Sequence, residues 1–145
     1  MKYIFLAVLM SSCLSDIMDD DYRRVDTKLN QYIESFKYEA SIRGIKIDDS
    51  DLKLYFGNAH GAAAVTYYDT NSIVMDSTTI HWTRNPEEVL YHEFGHLFLH
   101  RGHDDRLLPD GTPASIMSTY ATVKYAKDPS KRKYYIDELF NKKAP

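Results

Sequence analysis

Asn85-Pro86-Glu87-Glu88-Val89-Leu90-Tyr91-His92-Glu93-Phe94-Gly95-His96-Leu97-Phe98-Leu99-His100 is the stretch from which the rest of the chain can be read. It opens with an N-cap residue, then a proline where the N–H would have no helical partner anyway, then two carboxylates at the positive end of the dipole. A helix therefore starts here. Val89, Leu90, Leu97 and Phe98 give it an apolar face for a core, and it is predicted to run to about His100. Inside it lies His92-Glu93-Phe94-Gly95-His96, the pattern H-E-x-x-H. Residues four apart share one helix face about one turn apart, so both imidazoles can reach a single tetrahedral zinc ion. Glu93 projects beside the metal rather than onto it. There it is expected to take a proton from zinc-bound water and pass one to a leaving amine, the chemistry of peptide-bond hydrolysis.

A catalytic zinc takes three protein ligands and leaves one position open. The candidates for the third are His100, His103, Asp104, Asp105 and, far downstream, Glu138. His100 lies eight residues past His92, about 12 Å along a continuing helix, and three ligands spread along such a row cannot converge on one ion. His103 is better placed, because Gly102 before it permits the sharp backbone turn that would end the helix and return a loop histidine to the metal. Asp104 and Asp105 then fall beside the site, where either could accept the free N–H of a ligating imidazole. The rival arrangement has Glu138 as third ligand with Asp137 supporting it. His60 and His81 are expected to be structural or surface residues.

Working outward, apolar residues at Val25, Leu29, Tyr32, Ile33, Phe36 and Ala40 recur at intervals of three and four and predict one long amphipathic helix over residues 21–43, stopped by Gly44. Residues 52–56, 62–68 and 72–75 read as strands, with Asp69-Thr70-Asn71 as the turn of a hairpin. Residues 101–113 are rich in Gly, Asp and Pro and read as loop. A second amphipathic helix over residues 130–142, built on Tyr134, Tyr135, Leu139 and Phe140, closes the chain. No internal repeat or low-complexity stretch interrupts this order.

The run from His92 onward resembles the metzincin zinc peptidases, whose extended motif is H-E-x-x-H-x-x-G-x-x-H followed by a turn with a buried methionine. His92, Glu93 and His96 match, and Ser115-Ile116-Met117-Ser118 looks like that methionine turn. The family's glycine position holds Leu99 and its third-histidine position holds Gly102, so His103 stands one residue late. The segment from about Asn85 to Tyr120 is also similar to small zinc-dependent metallopeptidase lipoproteins of Bacteroidetes with the same longer spacing. The resemblance implies a compact α+β zincin fold, with an N-terminal helix and the active-site helix packed on a small mixed sheet. It also implies Zn2+ as cofactor on His92, His96 and His103, and a peptide or protein as substrate. Tyr120, just beyond Met117, is a candidate donor to a developing oxyanion, and residues 62–68 are the candidate strand for pairing with an extended substrate. A zinc-binding surface lipoprotein without turnover is the non-enzymatic alternative.

Residues 1–12 read as an export signal: Lys2, an apolar run from Tyr3 to Met10 too short to span a bilayer, then Ser11 and Ser12. Leu9-Met10-Ser11-Ser12-Cys13 resembles a bacterial lipobox, which would make Cys13 the lipidated first residue of an outer-membrane or cell-surface lipoprotein; otherwise the protein is periplasmic or secreted. Residues 13–20, with Asp16, Asp19 and Asp20, form an acidic tether to a single domain over residues 21–145, expected to act as a monomer. Cys13 is the single cysteine, so no intramolecular disulfide is available for stability. The formal net charge of −3 supplies no basic surface for a nucleic-acid backbone.

Overall fold

A computed structural model of the chain describes residues 23–119 and 128–141. The export signal, Cys13, the acidic tether and Tyr120 lie outside these residues. The described architecture is mixed α+β. Strand β1 (Arg24–Val25) leads into helix α1 (Asn30–Ser41), followed by β2 (Lys53–Phe56), β3 (Ala64–Tyr67), β4 (Ser72–Met75), the short helix α2 (Ile80–Arg84), helix α3 (Pro86–Leu99) and helix α4 (Pro129–Asn141).

The N-terminal helix is shorter than its apolar periodicity suggests. Val25 belongs to a strand instead: the N–H groups of Arg24 and Asp26 donate to the carbonyls of Leu52 and Leu54 at 2.8 Å each. The Asp26 carboxylate then caps a turn by accepting from the Lys28 N–H at 2.9 Å, and the Asp26 carbonyl accepts from Leu29 and Asn30, so α1 begins only after this turn. Its far end follows the sequence. Gly44 takes a left-handed φ of +74° and the Ile45 N–H closes back on the Ala40 carbonyl at 3.0 Å.

The sheet order is β1-β2-β4-β3, with β1, β2 and β4 mutually parallel and β3 antiparallel to β4. The hairpin predicted from Asp69-Thr70-Asn71 forms, through a 3-10 turn over Tyr68–Thr70 and a left-handed Asn71 at φ +46°. All four residues of β4 are buried, as a central strand covered on both faces requires, whereas β3 is an edge. Helix α3 packs on β3 and on α1. Phe36 of α1 sits at the centre of the helical layer, with ring centroids 5.2 Å from Tyr91, 5.1 Å from Phe94 and 4.9 Å from Phe140.

Two further features depart from the sequence reading. Helix α2 was not expected; at five residues it is too short for a periodic signal, and it is held by Trp82, whose ring meets Phe56 at 4.8 Å and Tyr32 at 6.3 Å. In α4 the buried face is Tyr135, Ile136, Leu139 and Phe140, while Tyr134 lies outside it and donates its hydroxyl proton to the Ala114 carbonyl at 2.9 Å. Among the described residues no helix is long and apolar enough to cross a membrane.

Candidate metal centre

Helix α3 starts with Pro86 in its first turn and Glu87 and Glu88 beside it, as expected, although the Asn85 side chain makes no capping hydrogen bond. The helix buries Leu90, Tyr91, Phe94 and Leu97 against the core and turns His92 and His96 to the other side, with ring centroids 4.6 Å apart. The chain reverses at His100 rather than at Gly102. His100 adopts left-handed angles of φ 50° and ψ 37°, and the Arg101 N–H closes on the Gly95 carbonyl at 3.0 Å. Gly102 has no positive φ; its expected role is taken two residues earlier by an exposed histidine. His103 nonetheless stands beside the other two histidines, with its ring 5.3 Å from His92 and 4.8 Å from His96. One ring nitrogen from each of His92, His96 and His103 lies within 4.8 Å of the others.

The donor set suits a cation. His92 Nδ1 is 2.8 Å from the Ile116 carbonyl and His96 Nδ1 is 2.6 Å from the Arg101 carbonyl. A carbonyl only accepts, so both Nδ1 atoms carry the proton and both Nε2 atoms present lone pairs. Those two Nε2 atoms are 3.0 Å apart. Burial pushes the His92 imidazole down to about 4 and lowers His96 as well, so both rings are neutral near pH 7 and no proton bridges them. Two facing lone pairs repel unless a positive ion lies between them. Zinc–nitrogen bonds of about 2.0–2.1 Å at tetrahedral angles would set the two atoms roughly 3.3 Å apart, close to the spacing found. His92 and His96 are oriented by backbone carbonyls, while Asp104 pairs with Arg106 at 2.7 Å and Asp105 accepts from Ser118 and Thr119.

Glu93 is 7% exposed, and its Oε2 accepts a 2.6 Å hydrogen bond from the Thr66 hydroxyl on β3. Burial raises its pKa, against the lowering influence of Thr66 and His103. A cleft of about 290 Å3 opens beside it, walled by Ala62, Ala63 and Ala64 leading into β3, by His92 and Glu93 on α3, and by Ile116. Glu88 and His81 also line this cleft, and sequence reasoning missed both. Glu88 could have been found, since it precedes His92 by four residues on the same helix; His81 depends on α2, which gave no signal. His60 is exposed, at a left-handed turn.

Met117 is fully buried and so close to α3 that a Cβ added to Gly95 would stand 2.5 Å from its sulfur. Its carbonyl accepts from the Asp104 N–H at 3.0 Å, tying this turn to the residue after His103. Glu138 is not part of the histidine group. Its Oε1 accepts from Arg101 Nη2 at 2.8 Å and its Oε2 from the Ser115 hydroxyl at 2.7 Å, while Asp137 pairs with Arg43 and Lys133. Comparison with family models, curated proteins and solved structures returned no match.

Proposed function

We propose that the chain is a zinc-dependent endopeptidase of the metzincin type. The convergence of His92, His96 and His103, beside a cleft that His92 and the buried Glu93 carboxyl line, carries this reading. Three imidazoles, two of them locked with Nε2 free, are a donor set suited to zinc that leaves one tetrahedral position open. When bound, the ion supplies a Lewis acid that polarises a carbonyl oxygen and makes water more acidic.

The chain's own residues do the remaining work. An extended peptide laid along the open edge of β3 would be held by main-chain hydrogen bonds, with its scissile bond beside residues 62–64 and Glu93. Glu93 accepts a proton from the attacking water and holds it readily, because burial has raised its proton affinity; it then delivers that proton to the departing amine. Thr66 fixes one carboxylate oxygen throughout and leaves the other for the proton.

The purified chain is expected to hold about one zinc by elemental analysis and to release it to chelators. Glu93→Ala should keep that zinc and the fold while peptide hydrolysis falls roughly 10²- to 10⁴-fold. A parent that binds zinc but cleaves no peptide library would favour the zinc-binding lipoprotein without turnover. We also infer that residues 1–12 direct export and that Cys13 carries lipid. Mass spectrometry of the native N-terminus tests this, and a mature end elsewhere without acyl chains would leave a plainly secreted protein.

A further inference from the structure

We propose that Glu138 is a positioning residue for this metal centre: one carboxylate on α4 clamps the two loop segments whose carbonyls orient His92 and His96. The inference rests on the metal-site reading above. His92 takes its orientation from the Ile116 carbonyl and His96 from the Arg101 carbonyl. Neither carbonyl belongs to a helix or strand, so no repeating backbone pattern holds it in place.

Side chains hold them instead. Arg101 is 4% exposed; its Nη2 donates to Glu138 Oε1 at 2.8 Å, and its Nη1 donates to the Leu139 carbonyl at 2.8 Å and the Glu138 carbonyl at 3.3 Å. Those carbonyls are in the last turn of α4, where helical partners run out and a cation also meets the negative end of the dipole. The second oxygen of Glu138 accepts from Ser115, which is fully buried and whose Oγ in turn accepts the Met117 N–H at 3.0 Å. Ile116 lies between the two residues so tied. The two oxygens of one carboxylate thus reach both segments that orient the imidazole pair, at Arg101 and at Ser115. A buried ion pair serving stability alone would need no second arm, and buried pairs are in any case a weak source of net stability.

The role differs from ligation. A ligating Glu138 would be freed for the metal by loss of Ser115 or Arg101, whereas a clamp is weakened by it. The experiment uses the full chain with Zn2+ and Co2+ alone, measuring affinity by competition titration, the visible spectrum of the cobalt form, and the tautomers of His92 and His96 by long-range ¹H–¹⁵N correlation in the metal-free protein. Glu138→Gln is expected to lower zinc affinity roughly 10- to 100-fold and Ser115→Ala about 10-fold, the range typical of groups that orient ligands. Both should alter the cobalt spectrum and let the Nε2–H tautomer appear. Ser115→Ala keeps the Arg101 pair intact, so it decides the matter if Glu138→Gln does not fold. Folded variants with parental affinity and parental tautomers would overturn the clamp. So would loss of affinity in Glu138→Gln with none in Ser115→Ala, which would make Glu138 a ligand. A parent that binds neither metal would sink the zinc reading, and the tautomers of the metal-free variants would still decide the clamp.

Discussion

Helix α3 and the segment over residues 100–118 build one centre by opposite means. In α3 the spacing of His92, Glu93 and His96 is fixed by consecutive backbone hydrogen bonds, and the helix is anchored by Leu90, Tyr91, Phe94 and Leu97 in the core. The loop has no named helix or strand, only an isolated bridge between Leu107 and Pro113. It nonetheless brings His103 to the other two imidazoles, lends its Arg101 and Ile116 carbonyls to them, and packs Met117 beneath Gly95. Its shape depends on contacts to distant residues, above all Arg101 and Ser115 with Glu138. A helix can place chemistry with local information alone. A loop needs the rest of the fold to do so.

The largest effect expected from this contrast is on metal affinity. Removing the proposed helix ligand in His96→Ala or the proposed loop ligand in His103→Ala should each weaken zinc binding by more than about 100-fold, beyond what loss of an orienting group costs. His100→Ala, on the exposed residue between them, should change it less than about threefold. Competition titration against a chromophoric chelator measures all three. If His103→Ala were as mild as His100→Ala, the loop would be scaffolding and the centre would belong to the helix alone.

Legibility in the sequence follows the same division. The Pro86-Glu87-Glu88 start of α3 and the i, i+4 histidines are local features, and the structure has each in its expected place, although the Asn85 side chain makes no cap. The hairpin was legible because Asp69-Thr70-Asn71 has turn chemistry of its own. His103 was reachable by elimination along the helix axis, but the mechanism assumed for it was wrong: the reversal is at His100, which takes the left-handed backbone far less readily than glycine does. Helix α1 was overextended because Val25 fits a helical period and a strand equally well, and only pairing with β2, nearly thirty residues away, decides between them. The Arg101–Glu138–Ser115 contacts were invisible for the same reason, since nothing in the spacing of these three residues couples them.

An intermediate effect should report the anchoring of α3. Tyr91 is fully buried with its hydroxyl 2.9 Å from Ser35 Oγ, and burial pushes its phenol up to about 12. In the unfolded chain the group ionises near 10, so between these values the folded state holds a proton that the unfolded state has lost. Its contribution is complete below pH 10 and is lost as pH rises toward 12, a decline on the order of 2–3 kcal/mol. Urea denaturation at stepped pH measures it, with Tyr91→Phe as the control expected to be flatter across that window. Identical slopes for parent and variant would mean that the phenol is solvated and that α3 is less firmly seated than its contacts indicate.

The smallest effect lies where the two regions join. His100 has φ 50° and ψ 37°, a conformation that costs a residue with a Cβ roughly 1–2 kcal/mol and glycine almost nothing. Glycine also gives the unfolded chain more freedom, which offsets part of the gain. His100→Gly should therefore stabilise the protein by at most about 1 kcal/mol, read as a rise of a few degrees in melting temperature. Zinc affinity should stay within about twofold of the parent, because the turn that returns His103 is preserved and no ring nitrogen of His100 belongs to the histidine group. Thermal melts of the metal-free protein and zinc titration of the loaded one separate the two quantities. A stabilised variant with unchanged affinity would show that the junction between helix and loop is set by backbone conformation alone. Lost affinity would mean that the His100 side chain takes part in the centre, and the sharp division between a self-sufficient helix and a dependent loop would have to be redrawn at that residue.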